Sequence, residues 1–324
     1  MIRTWCPVIW ALAVIFSICG DRTLAQEPVD GDFQIKAACD SVVAEGNLLY
    51  RYEKAAWEAT DIGLANEEVR KNLFNLLVYE QRDTIKVCLL DQTLHSICEV
   101  SFAGRDNGAQ IVSFTSRPLS DRETEVFLLK NKLIDRVTSG GYGVGVPDSF
   151  GLNFVLLPAE LGYRFYILTG TSKSGIIPFG NDYLFFVDSA GKITDWRKMH
   201  TILLPLSNEV DGLKVKRTIH THRPEEPYIT ATDICTFKLY GPLCGQESFT
   251  IVSALRKAFT YDLKTDSVLI QDIDSGRKNR KARKKYNRPS YTISSPVLTI
   301  RTLTVLWNGM KRETTVAIIA KISR

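Results

Sequence analysis

Two histidines, a threonine and an aspartate occur at a spacing that would suit a single metal site. His220 and His222 end an alternating apolar stretch, Lys214–Ile219, which predicts a strand. Residues two apart on a strand point to the same face, so the two imidazoles would lie side by side. Seven residues separate this pair from Thr230, and Asp233 follows three positions later.

The residues after the histidines predict a loop and then a helix. Pro224 and Pro227 interrupt regular strand pairing, so the chain must turn there. Thr230 is well placed as the N-cap of a helix over Asp233–Tyr240. Two imidazoles and one carboxylate would give three ligands. Three protein ligands leave the fourth zinc position open for water, which is the catalytic arrangement of zinc.

Each of these features also has a purely structural interpretation. Thr230 and Asp233 match the capping box that any helix can use. A His-x-His pair on a strand is often exposed, or hydrogen-bonded within a core.

Two other enzyme classes do not match the sequence. His220, His222 and Glu226 match the first half of a cupin motif, but no histidine follows His222. The Gly-x-Ser-x-Gly sequence of serine hydrolases does not occur. The joint spacing therefore favours a metal site.

Composition describes a globular chain without a broad basic face. Of the 324 residues, 44% are hydrophobic, and 41 Lys and Arg exceed 36 Asp and Glu by five. Eight of the basic residues lie within Arg277–Arg288, so the rest of the chain is slightly acidic. No nucleic acid is expected as a partner. The basic run is either a solvated segment or a contact for an anionic surface such as lipid or polysaccharide.

The first 25 residues predict a cleaved export signal. Arg3 supplies the positive start, Val8–Ile18 the apolar stretch, and residues 23–25 a small-residue cleavage site. The apolar stretch is shorter than the roughly 20 residues that span a bilayer. An uncleaved anchor is the alternative. The mature chain is expected to be secreted or periplasmic, with no transmembrane span.

Five cysteines remain beyond the signal. Export would permit disulfides, and Cys88 with Cys98 and Cys235 with Cys244 are the pairs to consider first. The odd number leaves at least one free thiol. The alternative is that most of them are small buried hydrophobic residues.

Apolar periodicity predicts an N-terminal α+β region over residues 26–147. The expected helices are Phe33–Asp61, Asn66–Tyr79 and Asp121–Val137. The expected strands are Thr84–Leu90, Ser96–Phe102 and Ala109–Ser116. Ser120 would cap the last helix, and His95 is expected at the surface. Glycines over residues 137–152 follow a helix rather than a strand, which does not suit phosphate binding. We interpret them as a boundary.

A second region is predicted over residues 148–270, and a basic C-terminal tail over 271–324. The expected elements are strands Phe154–Leu157, Tyr163–Leu168 and Tyr183–Val187, a short helix Asp195–Leu204, the histidine strand and its helix, and strands Phe249–Ser253 and Lys257–Tyr261. Val297–Leu306 and Thr315–Ile322 in the tail are also β-like.

The pattern from His220 to Asp233 resembles the signature of JAMM (MPN-type) metalloproteases. In that family His-Ser/Thr-His is followed, after seven residues, by Ser, two residues and Asp. The order of elements over roughly residues 155–265 is similar too. Glu160, before the Tyr163 strand, stands where the family has its glutamate. Thr230 replaces the family serine, and Arg223 stands where the family usually has proline. The resemblance implies a JAMM-like α/β/α domain with a central mixed sheet.

The resemblance also implies a chemistry. His220, His222 and Asp233 would bind zinc, which acidifies its bound water. Glu160 would take the proton from that water and deliver it to the leaving amine. Thr230 would help to hold the oxyanion. The expected function is an exported zinc-dependent peptidase or amidase that acts on peptide or protein substrates outside the cytoplasm. The alternative is a non-catalytic binding or scaffold protein that retains the fold.

Overall fold

A computed structural model describes residues 31–104, 110–273, 301–303 and 316–318, and these residues form an α+β fold. The fold class expected from the sequence is confirmed at this level. The export signal over residues 1–25 and the basic run Arg277–Arg288 lie outside the described residues, so both stay predictions. The two β-like segments of the tail include the short antiparallel strands β18 (Arg301–Leu303) and β19 (Val316–Ile318).

The described residues include four α-helices. They are α1 (Gly31–Ala65), α2 (Glu67–Asn72), α3 (Asp121–Ser139) and α4 (Ala231–Tyr240), and a 3-10 turn follows over Pro242–Cys244. Ser120 and Glu123 form a capping box at the start of α3, as Thr230 and Asp233 do at the start of α4. None of the described helices combines the length and apolar character needed to cross a membrane.

The first sheet is antiparallel and confirms the three strands predicted in this region, although the third is shorter than expected. Its members are β1 (Asn75–Gln81), β2 (Thr84–Leu90), β3 (His95–Ala103), β4 (Gln110–Ser113) and β5 (Arg117–Pro118). The helix predicted over Asn66–Tyr79 is wrong beyond Asn72. A two-residue turn with positive φ at Arg82 and Asp83 pairs β1 with β2 along its whole length, and this hairpin overrides the helical spacing of the apolar residues.

The same sheet explains why the first proposed disulfide does not form. Cys88 lies opposite Glu99, whereas Cys98 lies opposite Leu89, so the two thiols point to opposite faces of the sheet. Cys235 and Cys244 are likewise unpaired. Each of the five cysteines in the described residues is a buried free thiol, as the alternative interpretation held.

The second sheet carries an element that the sequence assigned wrongly. Its strands run in the order β10-β9-β7-β6. Their bounds are β6 (Gly151–Ala159), β7 (Gly162–Gly170), β9 (Tyr183–Asp188) and β10 (Ile193–Lys198). The helix expected over Asp195–Leu204 is instead β10, a turn and β11 (Leu203–Ser207), which pairs with β8 (Ile176–Gly180). Hairpin pairing again overrides helical spacing. A small ribbon joins β12 (Glu209–Val210) and β13 (Leu213–Lys214).

The third sheet is mixed and carries the histidine strand. β14 (Thr218–Thr221) runs parallel to β15 (Ser248–Val252), and α4 forms the crossover between them. β16 (Lys257–Asp262) and β17 (Ser267–Asp272) continue the sheet in antiparallel register.

The long helix α1 packs closely against α4. A Cβ atom added at Gly46 would lie 2.7 Å from the Cβ of Ile234, so glycine permits this close approach. One buried cluster contains Leu49 and Phe102 together with Phe237 from α4. Residues on both sides of the boundary expected near 147 therefore share a core.

Candidate metal centre

Four buried side chains from three parts of the fold converge on one point. His220 lies on β14 and His222 just after it, Asp233 lies in the first turn of α4, and His200 lies between β10 and β11. None of the four is more than 7% exposed. Their ligand atoms all lie within 4.8 Å of one another, which is close enough to bind one metal ion.

Strand pairing and helix capping explain how the predicted ligands meet. The parallel pairing of His220 with Ile251 continues beyond β14, because the backbone N–H of His222 donates to Val252 at 3.0 Å. Both imidazoles therefore point to one face, as predicted. In the capping box Oδ2 of Asp233 accepts from the Thr230 backbone at 2.9 Å and from its hydroxyl at 2.7 Å. Oδ1 of Asp233 is buried and has no hydrogen-bond partner.

His200 and His222 are both oriented by acceptors at Nδ1. Nδ1 of His200 lies 2.8 Å from Oδ1 of Asp182, the residue before β9. The other oxygen of Asp182 accepts from the hydroxyl of Thr232 on α4. Nδ1 of His222 lies 2.6 Å from the Tyr228 carbonyl oxygen. A hydrogen-bond acceptor at Nδ1 fixes the tautomer of a metal-binding imidazole and raises the basicity of its Nε2 atom.

Aromatic rings hold the remaining imidazole. The ring centroid of His220 lies 4.8 Å from that of Phe179, and the ring stacks parallel to Phe249 at 6.1 Å. Its Nδ1 atom is buried without a partner. Packing therefore fixes the direction in which Nε2 of His220 points.

The hydrogen bonds at Nδ1 direct the Nε2 atoms of His200 and His222 toward each other. A carboxylate and a carbonyl oxygen can only accept, so Nδ1 carries the hydrogen in both His200 and His222. In the neutral rings Nε2 is then unprotonated, yet the two Nε2 atoms are only 2.9 Å apart. Nε2 of His220 is 3.2 Å from Nε2 of His222. Either a proton on one of the facing nitrogens or a metal ion between them is needed to prevent repulsion between the lone pairs.

The distances between the donors match one small ion. Oδ1 of Asp233 is 3.2 Å from Nε2 of His220 and 3.4 Å from Nε2 of His200, and Oδ2 is 3.4 Å from Nε2 of His222. Zinc–ligand bonds of about 2.0–2.1 Å correspond to tetrahedron edges of roughly 3.3 Å. The separations between the donors are near this value, and the four residues lie close enough together to bind one metal ion.

Charges within the cluster shift its pKa values in opposite directions. Burial disfavours a charged His200, but the carboxylates of Asp182 and Asp233 outweigh burial and raise its pKa to about 9. Burial lowers the pKa of His222 to about 3, and the other two histidines add to this effect. Burial opposes ionisation of Asp233, yet the nearby histidines hold the pKa of its carboxyl well below the usual range. Without an ion, a proton on His200 compensates the carboxylates.

The predicted base is not brought to this cluster. Glu160 is exposed in the turn between β6 and β7, where Gly162, two residues later, lies opposite Asp188 at the far end of β9. Asp182, and with it His200, lies at the other end of this strand. A six-residue strand spans about 17 Å. A general base must be within hydrogen-bond reach of its proton, so Glu160 is badly placed for that role.

The hydroxyl of Thr230 also has different surroundings from those that the resemblance implies. Its side chain is 3% exposed, and its hydroxyl is engaged with Asp233 and, at 2.9 Å, with Thr232. In this arrangement the hydroxyl orients a ligand and does not face a substrate. The sequence reasoning missed His200, Asp182 and the Tyr228 carbonyl. Only one signal pointed to His200: it is one of four histidines in the chain.

A cavity reaches the cluster from one side. Its volume is about 80 Å³, and its lining includes His200, His222 and Arg223. About 10–15 Å³ of such cavity volume is enough to hold one water molecule, so this space could hold several waters. Small polar molecules could therefore approach two of the four ligands.

A second cluster contains residues that often bind metals, but here they pair with an arginine. Cys88, Glu99 and Glu123 lie close together, but Nη2 of Arg117 is 2.7 Å from Oε1 of Glu123 and also pairs with Glu99. Burial raises the pKa of Glu123, but bonds from Arg117 and Tyr79 outweigh this and hold it well below the usual range. The guanidinium already supplies the positive charge, so we interpret this group as a buried ion-pair network.

Comparisons with protein-family models, with curated proteins and with solved structures find no match to this chain. The resemblance to JAMM metalloproteases therefore rests on the motif from His220 to Asp233 and on the order of elements expected from the sequence.

Proposed function

We propose that this chain is a zinc protein in which His200, His220, His222 and Asp233 hold one ion. The observation that carries the proposal is the convergence of four buried ligand atoms within 4.8 Å of one another, with the Nε2 atoms of His200 and His222 2.9 Å apart. Imidazole and carboxylate donors suit zinc, which prefers four ligands in a tetrahedron.

Four protein ligands favour a structural role for the ion. Catalytic zinc sites usually keep one position for water, whereas structural sites are closed by protein. His200 fills the position that a three-ligand site would leave open. The function supported best is therefore that of a binding or scaffold protein whose fold is stabilised by zinc.

Metal content of the purified full chain tests this proposal. After reconstitution and removal of free metal, elemental analysis should find one equivalent of zinc per chain. Nickel, cobalt and manganese should be assayed in the same samples, because imidazole donors also accept them. A content below one tenth of an equivalent for every metal would contradict the proposal.

Zinc-dependent peptide or amide hydrolysis is the second candidate, and the cavity beside His200 and His222 favours it. Zinc can expand to five ligands, and when bound it would acidify a water and polarise a scissile carbonyl. Glu226, half-buried in the loop after His222, is the carboxylate that could handle the proton. Burial raises its pKa, and it interacts electrostatically with His200 and Asp182, which places it in their neighbourhood. Peptides or proteins outside the cytoplasm remain the proposed substrates.

Two glutamine variants separate the roles of these carboxylates. If the zinc-loaded chain cleaves a peptide library, Glu226→Gln should reduce kcat at least about 10²-fold, as expected for loss of a general base. Glu160→Gln, at the far end of the second sheet, is the matched control and should retain full activity. The reverse result would support the base implied by the JAMM resemblance. No cleavage by the zinc-loaded wild type would exclude the hydrolase and leave the structural role.

A further inference from the structure

A larger cavity lies elsewhere in the fold and shares no residue with the metal centre. Its volume is about 280 Å³, and its walls come from α1, β1, α3 and β6. This is close to the lower end of the range for small-molecule sites, roughly 300–1,000 Å³. The space would accommodate a ligand the size of an amino acid.

An incompletely paired carboxylate faces this cavity. Glu53 on α1 is only 5% exposed, and its Oε2 accepts a hydrogen bond from the side-chain amide of Asn153. Among the described residues, no group donates to its other oxygen, Oε1. A buried charge is normally paired, so the free oxygen indicates room for a donor from a ligand.

An amine of opposite charge lines the same cavity without closing the pair. Lys130 on α3 is half-buried and interacts electrostatically with Glu53. The two groups are not within 4 Å, and Lys130 has no other ion-pair partner in the described part of the chain. Burial raises the pKa of Glu53 to about 7 and lowers the pKa of Lys130, so each group would be more fully charged with an oppositely charged partner beside it. A carboxyl group and an amine therefore border one space with a gap between them.

The remaining walls are mostly apolar. Trp57, Leu76, Ile134, Leu152 and Phe154 cover the cavity around the two charges. A purely anionic ligand would meet Glu53, and a purely cationic one would meet Lys130. A zwitterion can satisfy both, and an apolar side chain would fill the rest of the space.

We propose that this cavity binds a free α-amino acid with an apolar side chain. Its ammonium group would donate to Glu53, its carboxylate would accept from Lys130, and its side chain would pack against Trp57 and Phe154. This proposal does not depend on the metal centre.

Binding of leucine to the full chain, followed by calorimetry, tests the proposal against two analogues. Leucinamide lacks the carboxylate, and 4-methylpentanoate lacks the ammonium group. Each should bind about 10- to 100-fold more weakly than leucine, because a hydrogen bond to a charged group is lost. Phenylalanine and methionine should be titrated alongside leucine to cover larger side chains.

Charge-removing variants complete the test. Glu53→Gln keeps an acceptor for Asn153, and Lys130→Met keeps the length of the side chain, so both should fold. Each should weaken leucine binding at least about 10-fold. Lys132→Met, at an exposed position on the same helix, should leave it unchanged. Absence of binding by all three amino acids, equal affinity for leucine and its analogues, or unchanged affinity in both cavity variants would each overturn the proposal.

Discussion

Replacement of His200 by alanine is expected to lower zinc affinity more than 100-fold. Its Nε2 atom is one of four donors around the proposed ion, and it lies 2.9 Å from Nε2 of His222. Loss of an outer hydrogen-bond partner of a ligand already lowers metal affinity about 10- to 100-fold, so loss of a ligand should exceed this. Competition with a chromophoric chelator would measure the change.

His95→Ala is the matched control, because this is the remaining histidine of the chain and lies at the start of β3. Its affinity for zinc should equal that of the wild type. The site expected from the sequence used only His220, His222 and Asp233. If His200→Ala retained wild-type affinity while His220→Ala lost it, the three-ligand site would be correct and the fourth position would be open for water.

Removal of zinc is expected to lower the thermal midpoint of unfolding by about 10 °C. Free zinc at 1,000 times its dissociation constant stabilises the folded state by about 4 kcal/mol, because the unfolded chain does not present the site. For proteins of roughly 150–250 residues, 1 kcal/mol corresponds to about 2–4 °C. Calorimetry before and after dialysis against a chelator would measure the shift.

Added zinc should restore the midpoint in the wild type but not in His220→Ala. The variant provides the control for effects of the chelator elsewhere in the chain. A midpoint that does not respond to zinc in the wild type would mean that no ion stabilises this fold. An equal response in the variant would place the bound zinc outside the cluster.

Local rules predicted the parts of the site that depend on short-range contacts. Alternation on β14 gave the common direction of His220 and His222, and the capping box of Thr230 and Asp233 gave the start of α4. These features involve neighbours in sequence or helix geometry, so they can be read without knowing the rest of the fold.

The parts that failed depend on pairing between distant strands. Residues 195–204 have apolar spacing compatible with a helix, but β10 pairs with β9 and β11 pairs with β8. This pairing brings His200 to Asp182, and neither residue belongs to a recognisable motif. Glu160 was assigned from the order of elements, and order alone does not say which end of a sheet a turn will occupy.

The convergence of ligands from separate sheets has a consequence for how the chain is held together. His200 connects the edge of the second sheet to β14 and α4, and about 20 residues separate it from His220. A covalent bridge that closes a loop of 15 residues contributes about 3 kcal/mol. A metal bound here would act as a cross-link of similar reach. Because its ligands are imidazoles and a carboxylate, this cross-link contains no disulfide that a reductant could cleave, and it would open in the presence of acid or a chelator.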